Sequence, residues 1–190
     1  AVMTGINEDD IERLVMEGAR RGVLAERGVS ADNDARFHHN TLRQVLYDSL
    51  PPRRRKRLHS QAAQAIESLC QFEPDRIAEA LSAHYEAANL WEKAFDWSMR
   101  AWQAAGSRLS WSEAMICVER AARAAAALEQ GSGNQLPPAE RLNLLLAFGE
   151  THFALGNLKE SDAAYGEAAT LARGLNDRSA LATALLQQGQ

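Results

Sequence analysis

Between residues 142 and 175 the chain reads LNLLLAFGETHFALGNLKESDAAYGEAATLARGL, and the spacing inside this stretch decides the fold. Phe148, Gly149, Gly156, Leu158, Ser161, Tyr165 and Ala168 fall at positions 7, 8, 15, 17, 20, 24 and 27 of a unit that begins at Leu142. Two apolar-periodic segments around a Gly-Asn turn predict a helix pair. Gly149 and Ala168 would let the two helices approach closely, and Tyr165 would fill the groove between them. The frame recurs upstream. Counting from Asp75, the residues Leu81, Tyr85, Asn89, Trp91, Ala94 and Ala101 stand at positions 7, 11, 15, 17, 20 and 27.

Working outward, every segment from Thr41 onward reads as helix. Leu42, Val45 and Leu46 form a stripe that stops at Pro51-Pro52, because proline has no N–H to donate. Leu58, Ala62, Ala65, Ile66 and Leu69 mark one face of the next helix, which Pro74-Asp75 breaks. Ile77, Leu81, Tyr85 and Ala88 follow, then Trp91, Ala94, Phe95, Trp102 and Ala105, then Trp111, Ala114, Met115, Val118, Ala121 and Leu128. Gly131-Ser132-Gly133-Asn134 with Pro137-Pro138 is the conspicuous linker, and helices are predicted near 139–155, 158–173 and from 178. Trp91, Trp97, Trp102 and Trp111 are read as packing residues, with Trp97 off the main stripe and expected toward solvent. Trp111-Ser112-Glu113-Ala114 repeats Trp91-Glu92-Lys93-Ala94 after only 20 residues, and Gly149 and Gly189 lie 40 apart, so the array is irregular.

The first 50 residues differ. Asn7-Glu8-Asp9-Asp10 is a helix-start signal, with acidic groups at the positive end of the helix dipole. Ile11, Leu14, Val15 and Ala19 follow at helical spacing, and Gly22 is the expected stop. Residues 23–25 and 35–38, around a polar 28–34 segment, predict a β-hairpin.

Composition narrows the function. Of 190 residues, 35 are alanine, aromatics make up 6%, and the formal net charge is -4. Small side chains at this density suit helix-on-helix packing. The apolar runs are shorter than the ~20 residues a membrane span needs, and residues 1–10 do not read as a secretory signal. Cys70 and Cys117 lie far apart with no C-x-x-C, as expected of reduced thiols in a cytoplasmic protein. No G-x-x-x-x-G-K-[ST] or G-x-S-x-G occurs, so no catalytic residue and no cofactor is assigned within this chain. His38 and His39 are adjacent on an extended segment and point to opposite faces. His59, His84 and His152 sit on separate helices without clustered cysteines or carboxylates, and no metal ligand is assigned.

The 142–175 and 75–108 units resemble the tetratricopeptide repeat, a helix pair of about 34 residues. Phe37-x-His39, Arg43, Tyr47, Leu50, the basic run of Arg53, Arg54, Arg55, Lys56 and Arg57, then Leu58-His59 and Ala62-Ala63, extend the likeness. They resemble the STAND class of signal-transducing ATPases, in which an ATPase core is followed by a winged helix and tetratricopeptide-like repeats. LuxR-type transcriptional activators and some multidomain adenylate cyclases share that layout. The resemblance implies an all-α solenoid over 51–190, incomplete at its C-terminus, preceded at 1–50 by the C-terminal part of a winged-helix domain. It also implies a fragment of a longer chain, with ATP and Mg²⁺ bound only in an upstream domain.

The implied function is regulatory: a protein segment or small-molecule inducer would bind the solenoid's inner face and bias the upstream ATPase domain. In the repeat register that face carries Arg76, Glu79, Ala83 and Glu86 in one unit and Asn143, Leu146, Glu150 and Phe153 in the other. Phe37, His39, Arg43 and Tyr47 would brace the winged helix against the first solenoid helix. The basic run is read first as a solvated helix start, with DNA phosphates, an anionic partner or a nucleotide held by the upstream ATPase domain as the competing roles. A homo-oligomeric scaffold and a DNA-reading winged helix are the alternatives. Against the second, the helix at 7–21 carries Glu8, Asp9, Asp10, Glu12 and Glu17, which repel phosphates.

Overall fold

The structure, a computed structural model, describes residues 7–24, 37–69, 74–132 and 135–188. Among them the helices are α1 (Glu8–Arg20), α2 (Asn40–Ser49), α3 (Pro52–Leu69), α4 (Pro74–Ala87), α5 (Trp91–Ser107), α6 (Trp111–Ser132), α7 (Pro138–Ala154), α8 (Leu158–Leu175) and α9 (Arg178–Gln188). The architecture is all-helical. Extensive packing begins with α3 on α4, and from there each helix packs against the next. Further contacts of α4 with α6 and of α5 with α7 place alternate helices in two layers.

One turn design recurs, four times within the array and once at Gly22 after α1. Asn89, Leu109, Gly156 and Asn176 each adopt a left-handed backbone, with φ of 60°, 58°, 77° and 56°. After each, the next N–H reaches back five residues: Leu90 to the Tyr85 carbonyl, Ser110 to Ala105, Asn157 to His152 and Asp177 to Ala172. This is the Schellman closure, which satisfies carbonyls that a helix end leaves open. Gly156 and the two asparagines suit the left-handed region, whereas Leu109 enters it against its side-chain sterics. The 20-residue echo of Trp91 in Trp111 follows directly, because one helix plus one such turn occupies 20 residues. The next helix starts also lie 20 apart, at Leu158 and Arg178.

Alanine sets the packing distance. Fifteen of the 24 buried apolar residues among those described are alanine, which leaves little between neighbouring helix backbones. The main cluster joins Ala63 of α3, Leu81 and Tyr85 of α4, Ala94 and Phe95 of α5, Val118 and Ala121 of α6, and Leu144 and Ala147 of α7. Leu136, 6% exposed, plugs this core from the α6–α7 connection. A second cluster joins Leu142, Tyr165, Ala168, Ala172 and Ala184 across α7, α8 and α9. Burying these side chains supplies roughly 25 cal/mol per Å² of apolar surface removed from water.

Several polar groups inside the array are partnered across helices, whereas the buried Ser98 hydroxyl has no hydrogen-bond partner among the described residues. Trp102 Nε1 donates to Thr151 Oγ1 at 2.8 Å, tying α5 to α7, and Thr151 in turn donates to the Ala147 carbonyl at 2.7 Å. Ser161 Oγ donates to the Gly149 carbonyl at 2.9 Å. The Tyr85 hydroxyl donates to Glu67 at 2.5 Å, and Lys93 reaches the same carboxylate at 3.1 Å. Trp97, expected toward solvent, is half-buried between the main cluster and a smaller one around Ala78, Ala101 and Cys117. The Arg100 guanidinium covers its ring at 5.6 Å, and packing against both clusters draws it in although it lies off the main stripe.

The expected β-hairpin is not seen. Residues 25–36 lie outside the described residues, and the described flanks meet only in an isolated antiparallel bridge between Leu24 and Phe37. The reason is local. Gly22 turns left-handed at φ 67°, and the N–H groups of Val23 and Leu24 both donate to the Gly18 carbonyl, closing α1 rather than starting a ladder. The His38 N–H to Val23 carbonyl bond at 3.1 Å accompanies the bridge.

Candidate functional site

Residues 146, 150 and 153 recur at helical spacing, so Leu146, Glu150 and Phe153 share one face of α7. They line an open cavity of about 490 Å³ completed by Trp111 at the start of α6, Tyr165 of α8, and Thr183 and Gln187 of α9. Phe153 is exposed, Trp111 half-buried and Tyr165 buried. Aromatic and aliphatic walls therefore surround one carboxylate, Glu150, which is exposed. Burial, and secondarily the Glu150 charge, push the Tyr165 phenol up to about 12. The groove is thus apolar, anionic at one point, and wide enough for side chains of an extended segment.

Asn143, the fourth residue expected on this face, is exposed and does not line the groove. The residues expected from the other unit lie elsewhere. Arg76 and Glu79 line a smaller cleft of about 190 Å³ with Asp75, Arg108, Glu113 and Cys117. Ala83 is half-buried. Glu86 is held by arginines of α6, with Arg123 Nε at 2.8 Å and Arg120 Nε at 3.1 Å, while Arg120 also donates to Ser82 Oγ at 2.7 Å. Neither cleft is lined by both sets. Because α4 shares a layer with α6, and α7 with α5, the two helices do not present one continuous surface.

Of the residues expected to brace the N-terminal part, Tyr47 reaches the array. Its hydroxyl is 2.8 Å from His59 Nε2 on α3, and Arg55 lies 5.2 Å over its ring. Phe37 takes part in the backbone bridge, His39 packs on the His38 ring at 4.7 Å, and Arg43 is exposed. In the basic run, Arg53, Arg54, Lys56 and Arg57 are exposed, and Arg55 is half-buried with Asp48 at 3.7 Å. On α1, Arg13 pairs with Asp10 at 3.0 Å and Arg21 with Glu17 at 2.7 Å, so basic groups there already face carboxylates.

The sequence did not reveal a pair of histidines in contact: His59 Nδ1 and His84 Nδ1 are 2.9 Å apart. Each lies among apolar positions of its own helix, His59 near Ala62 and Ala63, His84 near Leu81 and Tyr85. A packing face on two successive helices was the available signal. Burial, followed by the Arg55 charge, lowers the pKa of His59; burial, followed by His59 itself, lowers that of His84. Cys117 is buried, with its thiol pushed up by that burial, and Cys70 lies outside the described residues. Among the described residues, no group of three or more His, Cys, Asp or Glu could hold a metal ion, and no helix is long and apolar enough to cross a membrane. The chain matches no family model, no curated protein and no solved structure.

Proposed function

We propose that the chain is a binding module of a larger ATP-dependent regulator of the STAND class, with a tetratricopeptide-like array over 51–190 and the end of a winged helix at 1–50. The matching turns at Asn89, Leu109, Gly156 and Asn176 support the repeat reading, because within each successive pair the same closure returns after 20 residues, as it does between similar stacked units. The groove around Glu150 carries the binding reading: Trp111, Leu146 and Phe153 offer apolar contact beside a carboxylate, with no Lys or Arg among the lining residues. Its occupant is an extended protein segment or small inducer combining apolar groups with one positive charge. Occupancy favours one arrangement of the array and the preceding domain over another, and so biases an ATPase outside this chain.

A panned library of random twelve-residue peptides displayed on phage tests this. Enrichment of apolar peptides carrying Lys or Arg is expected on the native chain, and its loss on Glu150→Lys and Phe153→Ala. Equal enrichment on both variants would overturn the reading. Self-association is favoured by one separate observation: Leu185 and Leu186 of α9 are exposed at the last helix of the array. Sedimentation equilibrium across concentration distinguishes that alternative.

A further inference from the structure

Three helices meet through a chain of side-chain hydrogen bonds that binding in the groove does not use. Tyr47 of α2 places its hydroxyl 2.8 Å from His59 Nε2 of α3, and His59 Nδ1 stands 2.9 Å from His84 Nδ1 of α4. The Tyr47 ring meets His59 edge-on at 5.7 Å between centroids, and the imidazoles are tilted at 5.1 Å. We propose that Tyr47, His59 and His84 form a proton-sensitive latch that holds α2 on the array and releases it when both imidazoles are charged.

A bond between two Nδ1 atoms contains a single proton, so one ring donates and the other accepts. In the neutral chain the two contacts are satisfied in either of two ways: the Tyr47 hydroxyl donates to His59 Nε2 and His59 Nδ1–H to His84 Nδ1, or His84 Nδ1–H donates to His59 Nδ1 and His59 Nε2–H to the Tyr47 oxygen. One added proton is tolerated: His59 carries both N–H groups, donating to the Tyr47 oxygen and to His84. A second proton is not. It puts an N–H on each facing Nδ1, removes the acceptor, and sets two positive rings side by side.

The surroundings do not compensate that charge. Facing the pair are Tyr47 from α2 and Arg55 from α3, while Asp48 of α2 is engaged by Arg55 at 3.7 Å. No carboxylate of α2, α3, α4 or α5 is among the groups acting on either ring. Both histidines are held below the ordinary value, so their neutral forms are favoured in the folded chain. The sign follows. The latch is intact above the unfolded value of about 6.5 and is lost as pH falls below it through the lower folded values.

The latch matters because α2 has little else. None of its residues is buried, and Val45 and Leu46 are exposed at 60% and 44%. Its polar ties to α3 are the Tyr47 hydroxyl, the Arg55 guanidinium 5.2 Å over the Tyr47 ring, and the Arg55–Asp48 pair, whose carboxylate end is exposed and which contributes little. Releasing Tyr47 therefore frees the segment that precedes the array, while α3 to α9 keep their own core.

Hydrogen exchange followed by mass spectrometry on the native chain, from pH 7.5 to 5.0 and corrected for intrinsic exchange, tests the latch. Protection over 40–49 is expected to fall about tenfold relative to 91–107, the size of losing one or two hydrogen bonds. His84→Asn keeps an acceptor near the Nδ1 position and cannot gain a proton, so its protection should stay flat with pH. Undiminished protection at pH 5.0 in the native chain, or the same fall in His84→Asn, would overturn the proposal. Should that variant fail to fold, ¹⁵N–¹H correlation of the native histidine rings decides. A single proton on one of the two facing Nδ1 atoms and a second protonation coincident with α2 release support the latch; both rings as Nε2–H tautomers, or a second protonation without release, overturn it.

Discussion

Gly149 and Tyr165 touch so closely that no other residue fits at 149 unchanged: a Cβ there would stand 2.7 Å from Cε1 of the tyrosine ring and 2.8 Å from Cδ1 and Cζ. The ring is 3% exposed and anchors the cluster that joins α7, α8 and α9. At the same two repeat positions, 8 and 24, the earlier unit has Ser82 and Ser98, both fully buried. One unit thus pairs nothing with a large ring, and the other pairs two small side chains.

Gly149→Ala is therefore expected to destabilise the chain by about 1–3 kcal/mol, the usual cost of overpacking, despite alanine's better helix propensity. Urea unfolding followed by circular dichroism measures it. Tyr165→Leu introduced into Gly149→Ala should recover part of the loss; an unchanged midpoint for Gly149→Ala would mean that α7 and α8 are further apart than described.

Leu109 makes the opposite case. It takes the left-handed turn position at φ 58° with its side chain 74% exposed, so it bears steric cost and contributes little packing. Leu109→Gly should raise stability by about 0.5–1 kcal/mol, the relief of left-handed strain less the added freedom of the unfolded glycine. Gly156→Ala at the equivalent turn should lower it by about 1 kcal/mol. Thermal melts of the two variants test the pair of opposite signs.

Thr151, fully buried, accepts the Trp102 indole N–H at 2.8 Å. Thr151→Val preserves shape but strands that donor, and is expected to cost about 1–3 kcal/mol. Combining it with Trp102→Phe should cost less than the two single losses added, and a double-mutant cycle reads the coupling directly. Strict additivity would show that the bond contributes nothing.

Much of the helical course was legible. Pro51-Pro52, Pro74 and Pro137-Pro138 mark boundaries because proline lacks a donor, and Gly22 and Gly156 mark stops because they adopt positive φ freely. Leu81, Tyr85, Ala94, Ala101, Ser161, Tyr165 and Ala168, all singled out by repeat spacing, are buried. The face carrying Leu146, Glu150 and Phe153 was also readable, since three residues at helical spacing share a side whatever the helix packs against.

The remaining features depend on which elements meet. Local pattern determines where backbone hydrogen bonds close, and so the helices and their turns. It says nothing of the alternation that puts α4 with α6 and α7 with α5, because layer parity depends on how many helices intervene and how each packs. Nor could it bring His59 to His84, 25 residues away. Short-range sterics and capping act within a few residues and are written in the chain. Proximity between distant side chains arises only once alanine-lined helices have settled against one another.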